Sequence, residues 1–302
     1  MRIKLITMIG KLLATLRWAA RHPLNRDSGM KAMFAFARAQ IGARLVSGDV
    51  CVPLPNETRL LVPPRMKGAV HFIWPGLYDF EEMSFVLHYL RPEDLFVDVG
   101  ANIGIFTVLA SGVAGAHTMA FEPAPFAFDF LLKNVRLNNL TSLVNARNAA
   151  LGGQKGKIRI TSGLGTENHV LLDKNPPESV EVELLTLDSL EANFHTVVAK
   201  IDVEGFEQEV LAGARSFLAR PSLQAMIIER VGNANRFGQN EGALHVYIRS
   251  LSLVPCAYEP RTRTLHRLAD DACGNIIYVR NLKKTNERLR QAPAYQFAGQ
   301  TI

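Results

Sequence analysis

The sequence predicts an α/β fold in which a mostly parallel sheet is covered by helices on both faces. Three observations lead there. From residue 95 onward, short apolar runs alternate with helical patterns. Runs such as "HTVVAKID" and "LQAMIIE" are apolar at successive positions, as strands buried on both faces require. At 302 residues, with 48% hydrophobic and 21% charged residues, the chain is long enough to close a large core around such a sheet.

The elements follow in order. The apolar run "LFVDV" predicts a strand over 95–99, and "GIFTVLASG" a helix over 104–112. The strand pattern recurs at 117–121 ("HTMAF"), and "PFAFDFLLKNVRL" reads as a helix over 125–137. Strands are expected at 143–147, 157–161 and 180–185, then a helix at 188–193 and a strand at 197–201 ("VVAKI"). A helix over 206–218, a strand over 223–228, a helix over 240–251 and strands at 253–258 and 275–280 complete the series. The last two strands, joined by "RTRTLHRL", have the spacing of an antiparallel edge. Three domains are expected: an extension over 1–90, the α/β domain over 91–281 and a polar, frayed tail over 282–302.

The extension mixes helical and Pro-containing extended stretches, and Asp79 with Glu82 three residues later has the spacing of a helix N-cap. It also carries the charge. Residues 1–60 have a balance of +7, against a total of +6, so the rest of the chain is near −1. Within residues 1–21, Lys4, Thr7, Lys11 and Thr15 share one helical face opposite Leu5, Ile9, Leu12, Leu13 and Leu16. Such a basic amphipathic helix either packs on the main domain or attaches reversibly to an anionic membrane surface. Lys11 interrupts the apolar stretch, so neither a signal peptide nor a spanning helix is read. Cys51, Cys256 and Cys273 are three, far apart and without a CxxC pair, which points to a reducing compartment. A cytoplasmic location is expected, with residues 1–21 as a peripheral contact to the inner face of the membrane.

In an open α/β sheet the ligand sits at the carboxyl ends of the strands. The first such end reads "LFVDVGANIGIFTVLA": the strand stops on Asp98, and Gly100 and Gly104 follow four residues apart. Glycines there let backbone amides approach a ligand, yet G-x-x-x-G is not the G-x-G-x-x-G of dinucleotide sites, and an acid before the first glycine would repel a pyrophosphate. An acid with exposed amides suits a cationic ligand carrying its own carboxylate, such as S-adenosylmethionine. The next strand ends in Glu122, 24 residues on, where an acid accepts from ribose hydroxyls.

The chain resembles the FkbM-type S-adenosylmethionine-dependent methyltransferases through "FVDVGANIGIFT", "FEPAPFAFDFLLKNVRLNNL", "NARNAALGG", "VELLTLDSL", "AKIDVEGFEQEVLAGARSFL" and "MIIER", six segments in the family order across roughly 95–280. The resemblance implies a class I, Rossmann-like methyltransferase sheet of seven strands with an antiparallel edge strand. It also implies O-methylation of a sugar or small-molecule hydroxyl. Asp98, Gly100, Asn102 and Gly104 then match the cofactor loop, Glu122 the ribose acid, and Asn148 and Ala149 the region of the adenine.

For the chemistry, "KIDVEGFE" ends a strand at Asp202 with Glu204 and Glu207 behind it, and "MIIE" places Glu229 one strand over. Transfer to an alcohol needs its proton removed and its oxygen held in line. Asp202, Glu204 and Glu229 are therefore candidates for the base, and Asp202 and Glu229 for ligands of a divalent ion such as Mg. Glu207 also reads as a helix-start carboxylate. His169, in "GTENHV", is a further base candidate, whereas His195, His245 and His266 read as ordinary surface or core histidines. "NPPE" at 175–178 is a turn, not an N-methyltransferase signature, because Glu178 stands in place of the aromatic. The core has no basic stripe, so a nucleic-acid partner is not expected. The alternatives are a membrane-associated binding protein that keeps the fold without turnover, and an NAD-dependent oxidoreductase.

Overall fold

The computed structural model describes residues 22–23, 48–63, 77–161, 170–171, 179–191, 193–230, 241–269, 272–297 and 300–302. The basic segment 1–21, His169 and the "NPPE" turn lie outside them.

A hairpin of β1 (Val50–Pro53) and β2 (Arg59–Val62) precedes helix α1 (Phe80–Tyr89). The α/β domain opens with β3 (Leu95–Val99), α2 (Ile105–Val108, continued by a π-helical turn over Leu109–Val113), β4 (His117–Phe121), α3 (Pro125–Leu137) and β5 (Val144–Arg147). Pro125 at the first turn of α3 has its ring where no amide is needed. After the β6 to β9 region described below come β10 (Val197–Ile201), α4 (Glu207–Ala212), α5 (Arg215–Ala219), β11 (Leu223–Arg230), α6 (Glu241–Ser250), β12 (Val254–Glu259), β13 (Thr264–Arg267), β14 (Gly274–Val279) and α7 (Leu282–Arg290).

Eight strands form the main sheet in the order β13-β12-β14-β11-β10-β3-β4-β5. β5, β4, β3, β10 and β11 run parallel to one another, and β14 is antiparallel to both β11 and β12. The order reverses between β3 and β10, the switch point at which such sheets leave a crevice. The antiparallel strand 274–279 is therefore internal. The edge is β13, a strand inside the segment read as a connection.

Side-chain alternation splits the core in two. On β3, Phe96 belongs to one apolar cluster while Leu95, Val97 and Val99 belong to the other; on β10, Val198 faces the first and Val197, Ala199 and Ile201 the second. Helix α1 packs into the first cluster through Met83, Phe85, Val86 and Leu87. That contact brings the start of α1 over the carboxyl ends of the strands.

Four expectations need correction. Strands β7 (Gly156–Thr161) and β9 (Ser179–Leu185) do not join the main sheet; with β6 (Ala149–Leu151) and β8 (Val170–Leu171) they form a second, four-stranded one in the order β6-β9-β7-β8. Local pattern identifies a strand but not its partner. The helix expected at 188–193 is only a short 3-10 turn over Leu187–Ser189. The helix expected over 206–218 breaks at Gly213, where an added Cβ would lie 2.0 Å from the Gly152 carbonyl oxygen, so two chain segments touch there. The C-terminal segment is not frayed. Helix α7 is capped by the Asn281 side chain accepting from the Lys284 amide, Arg288 pairs with buried Asp94, and Leu289, Tyr295, Phe297 and Ile302 are buried. A short hairpin of β15 (Gln296–Phe297) and β16 (Gln300–Thr301) closes the chain. The large apolar side chains Leu289, Tyr295, Phe297 and Ile302 face inward, which a polar composition conceals.

Candidate active site

A cavity of about 280 Å³ opens at the carboxyl ends of the central strands. Val99, Gly100, Ala101 and Asn102 line it from the turn after β3, and Phe121, Glu122 and Pro123 from the end of β4. Asp202, Val203 and Glu204 contribute from the turn after β10, and Glu229 with its cross-strand partner Asn275 from β11 and β14. The second sheet supplies an apolar wall of Ala149, Ala150, Leu151, Ile160 and Val170.

The turn after β3 is built for close approach. Gly100 has φ +79, and a Cβ there would sit 1.9 Å from the Asp202 carbonyl oxygen, so only glycine lets the turns after β3 and β10 touch. Asn102 is also left-handed at φ 53, its side chain accepting from the Ile103 amide. Gly104 adjoins Leu131 of α3 and does not line the cavity.

The amides of this turn are all engaged within the protein. Gly100 and Ala101 donate to the Phe121 carbonyl, Asn102 to Glu122 Oε2 at 2.8 Å, Ile103 to the Asn102 side chain and Gly104 to the Ala101 carbonyl. The expectation that they meet a ligand is corrected. With these amides engaged, the turn is not a backbone anion cradle of the kind a pyrophosphate uses.

Glu122 accepts from Asn102 and, through Oε1, from the Ala124 amide at 2.8 Å. Each oxygen retains further lone-pair capacity toward the cavity. Burial pushes its pKa up to about 7, against the pull of the two amides. Asn148 does not line the cavity. Its side chain donates to the carbonyls of Glu122 and Pro123 at 2.8 and 2.9 Å, which holds the chain leaving β4.

Asp98 is placed differently from the expected direct contact. It is fully buried on the face that carries Phe96, and it is not part of the cavity wall because β3 runs one residue further, to Val99. Oδ2 accepts from Thr107 at 2.7 Å, and Oδ1 has no hydrogen-bond partner. Burial raises its pKa, opposed first by Lys200.

Lys200 is the main residue sequence reading missed, although a lysine inside "VVAKI" is the visible signal. It is buried, lines the cavity, stands in register with Asp98 across β10 and β3, and donates to Asp202 Oδ2 at 2.8 Å. Burial works against its charge, but Asp202, Asp98 and Asp79 together raise its pKa. Tyr78 and Asp79 were missed as well. They line the cavity from ahead of α1, and the Asp79 side chain makes no capping hydrogen bond despite its N-cap position.

The predicted catalytic acids converge. Asp202, Glu204 and Glu229 all line the cavity. Burial, then Asp202 and Glu204, push Glu229 up to about 8. Glu207 accepts from the Val203 and Gly205 amides at 3.1 Å each, a turn-holding role. Asp202 is committed to Lys200, and among the described residues no three His, Cys, Asp or Glu side chains have the arrangement of a metal site, so the expected divalent ion gains no support. Nor is any helix among those residues long and apolar enough to cross a membrane.

The residues fit a cationic, ribose-bearing ligand. The cavity offers an acid with spare acceptor capacity at one end, an apolar wall, a turn whose amides are engaged, and carboxylates at the other end. The buried Oδ1 of Asp98 beneath the turn adds negative charge without a donor of its own.

Comparison with known proteins agrees with this chemistry. Residues 98–254 match the methyltransferase FkbM domain. "Methyltransferase 1" of Beauveria bassiana (strain ARSEF 2860) is 30% identical over 188 residues, 54% of this chain and 74% of that protein. "Methyltransferase sdnD" of Sordaria araneosa is 28% identical over 169 residues, 44% of this chain and 65% of that one. Among solved structures, a methyltransferase FkbM from Methylobacillus flagellatus KT is similar with a TM-score of 0.45 and 15% identity, over 70% of this chain and 52% of that chain. The chain thus spans about half of the bacterial protein and just under two thirds of the Sordaria one.

Proposed function

Because the chain belongs to the methyltransferase FkbM family, we propose that it transfers a methyl group from S-adenosylmethionine to a hydroxyl of a small molecule or glycan. One observation carries this reading: a single cavity runs from Glu122 past the Gly100 turn to Asp79, Asp202 and Glu229.

Glu122 would hold the ribose hydroxyls, the Ala149 to Leu151 wall would face the base, and the turn at Gly100 to Asn102 would lie against the cofactor without donating its amides. Bound there, S-adenosylmethionine supplies a methyl group on a cationic sulfur. The anionic lining favours that charge and disfavours a phosphorylated or carboxylated acceptor. Lys200 fixes Asp202, so the far end keeps one defined carboxylate beside others raised into the range of a neutral-pH base. As the acceptor oxygen takes the methyl group, its proton passes to one of these carboxylates. Val99, Phe106, Phe121 and Phe206 give the cavity an apolar lining.

The test is to incubate the chain with methyl-labelled S-adenosylmethionine and fractionated cell extract and to identify the product. A labelled methyl ether supports the reading. Label on an amine or on a nucleic acid would redirect it.

A further inference from the structure

We infer that Asp79, which lies ahead of the family-matched segment, is the residue that takes the acceptor's hydroxyl proton. The inference rests on the proposed methyl transfer and names its base. In the step, the acceptor O–H bond breaks as the new C–O bond forms. The proton goes to an Asp79 carboxylate oxygen, and the methyl–sulfur bonding pair stays on sulfur, leaving a neutral thioether.

Among the described residues five carboxylates line the cavity: Asp79, Glu122, Asp202, Glu204 and Glu229. Glu122 stands at the opposite end and accepts two backbone amides. Asp202 is tied to Lys200, whose ammonium donates to its Oδ2 at 2.8 Å. Glu204 sits in a left-handed turn at φ 56 and is itself engaged. Glu229, pushed up to about 8 by burial and by Asp202 and Glu204, lies on β11, two strands away from the Gly100 turn that follows β3.

Asp79 differs on three counts. Its side chain makes no capping hydrogen bond to the amides at the start of α1, so it has no structural duty as a cap. It faces into the cavity beside Tyr78. Burial and Asp202 raise its pKa to about 7, while Lys200 opposes them and favours the charged form. The groups around it are Tyr78 and Glu82 on its own segment and Asp202 and Lys200 from the end of β10, with Glu229 of β11 bearing on Tyr78. A base with its pKa near neutrality is matched to removing an alcohol proton in concert with transfer.

The experiment uses the full chain, methyl-labelled S-adenosylmethionine and the extract fraction it methylates, with kcat measured across pH 5.5–9 and cofactor affinity measured by calorimetry. Asp79→Asn is expected to keep cofactor affinity within about threefold and to lower kcat by about 100-fold or more, the contribution of a general base, with loss of the acid limb of the profile. Asp79→Glu is expected to restore part of the rate and the limb, and Glu229→Gln to retain the limb at a reduced rate. Retention of the limb in Asp79→Asn, or its loss in Glu229→Gln instead, overturns the assignment. A fall in cofactor affinity as large as the fall in rate also overturns it, by making the role structural. If the unaltered chain labels no fraction, the proposed transfer itself fails, and this inference with it.

Discussion

Lys200 and Asp98 stand in register across β10 and β3, both buried on the same face of the sheet, with the Lys200 ammonium 2.8 Å from Asp202. A cation placed between a fully buried acid and a cavity-lining one joins the fold to the site. It neutralises the sheet interior and fixes the carboxylate at the tip of β10.

Lys200→Met therefore leaves Asp98 buried with its nearest cation gone. Loss of about 3 kcal/mol of unfolding free energy is expected, in the range for breaking a buried pair. Adding Asp98→Asn should recover part of that loss, because the two residues share one electrostatic network. Urea denaturation of the two single variants and the double variant measures the coupling; strict additivity would exclude it.

Gly100→Ala and Gly104→Ala should differ in severity. Both positions have positive φ, but the new methyl meets the Asp202 backbone oxygen at 1.9 Å in the first case and the flexible end of Leu131 at 2.4 Å in the second. A backbone atom cannot rotate away, whereas a leucine terminus can shift. Gly100→Ala should abolish cofactor binding or folding, and Gly104→Ala should retain measurable binding at reduced thermal stability.

Buried acids in and beside the site, Glu122 of the cavity and Glu82 of α1, set a pH dependence with a definite sign. Glu122 near 7 and Glu82 near 8 lie above their ordinary value, so the folded state holds protons that the unfolded chain has released. Their contribution is full below about pH 4.5 and is lost as pH rises through 7 to 8. Buried His88, lowered to about 4, acts oppositely, its contribution being lost as pH falls below about 6.5. Between pH 6.5 and 8 only the carboxylates act. Unfolding free energy should fall there by roughly 1 kcal/mol per raised carboxylate, and Glu122→Gln should flatten the slope. A cationic ligand should reverse the trend by favouring the ionised acids.

The C-terminal segment should prove part of the folded unit. Leu289→Ala removes a buried side chain from the first apolar cluster and should lower stability by about 2–5 kcal/mol. Truncation before residue 282 also removes the partner of Asp94, and should give a chain that unfolds at markedly lower temperature or fails to accumulate. Thermal melts of the two variants test this.

The parts of the fold that were legible share one cause. Buried parallel strands are continuous apolar runs, so β3, β4, β10 and β11 stand out, as do the acids at their ends. What was hidden depends on packing between distant segments. Pairing of β7 and β9 in a second sheet is a choice of partner that alternation does not encode. Tyr78 and Asp79 reach the cavity only because the apolar face of α1 seats beside Phe96. The sequence marks Asp98 as the first strand-end acid, but β3 continues to Val99, and the residue at which a strand stops decides which side chain meets the crevice. Lys200 was visible as a charge within an apolar run, and its meaning appears once Asp98 stands opposite.

The most direct test of the account is calorimetric titration of S-adenosylmethionine into the full chain and into Glu122→Gln. Hydrogen bonds to a charged carboxylate contribute about 1.5–3 kcal/mol, so binding to the unaltered chain and a loss of roughly 10-fold or more in the variant are expected. No heat of binding to the unaltered chain, or equal affinity in the two, would contradict the claim that this cavity holds a methyl donor by its ribose.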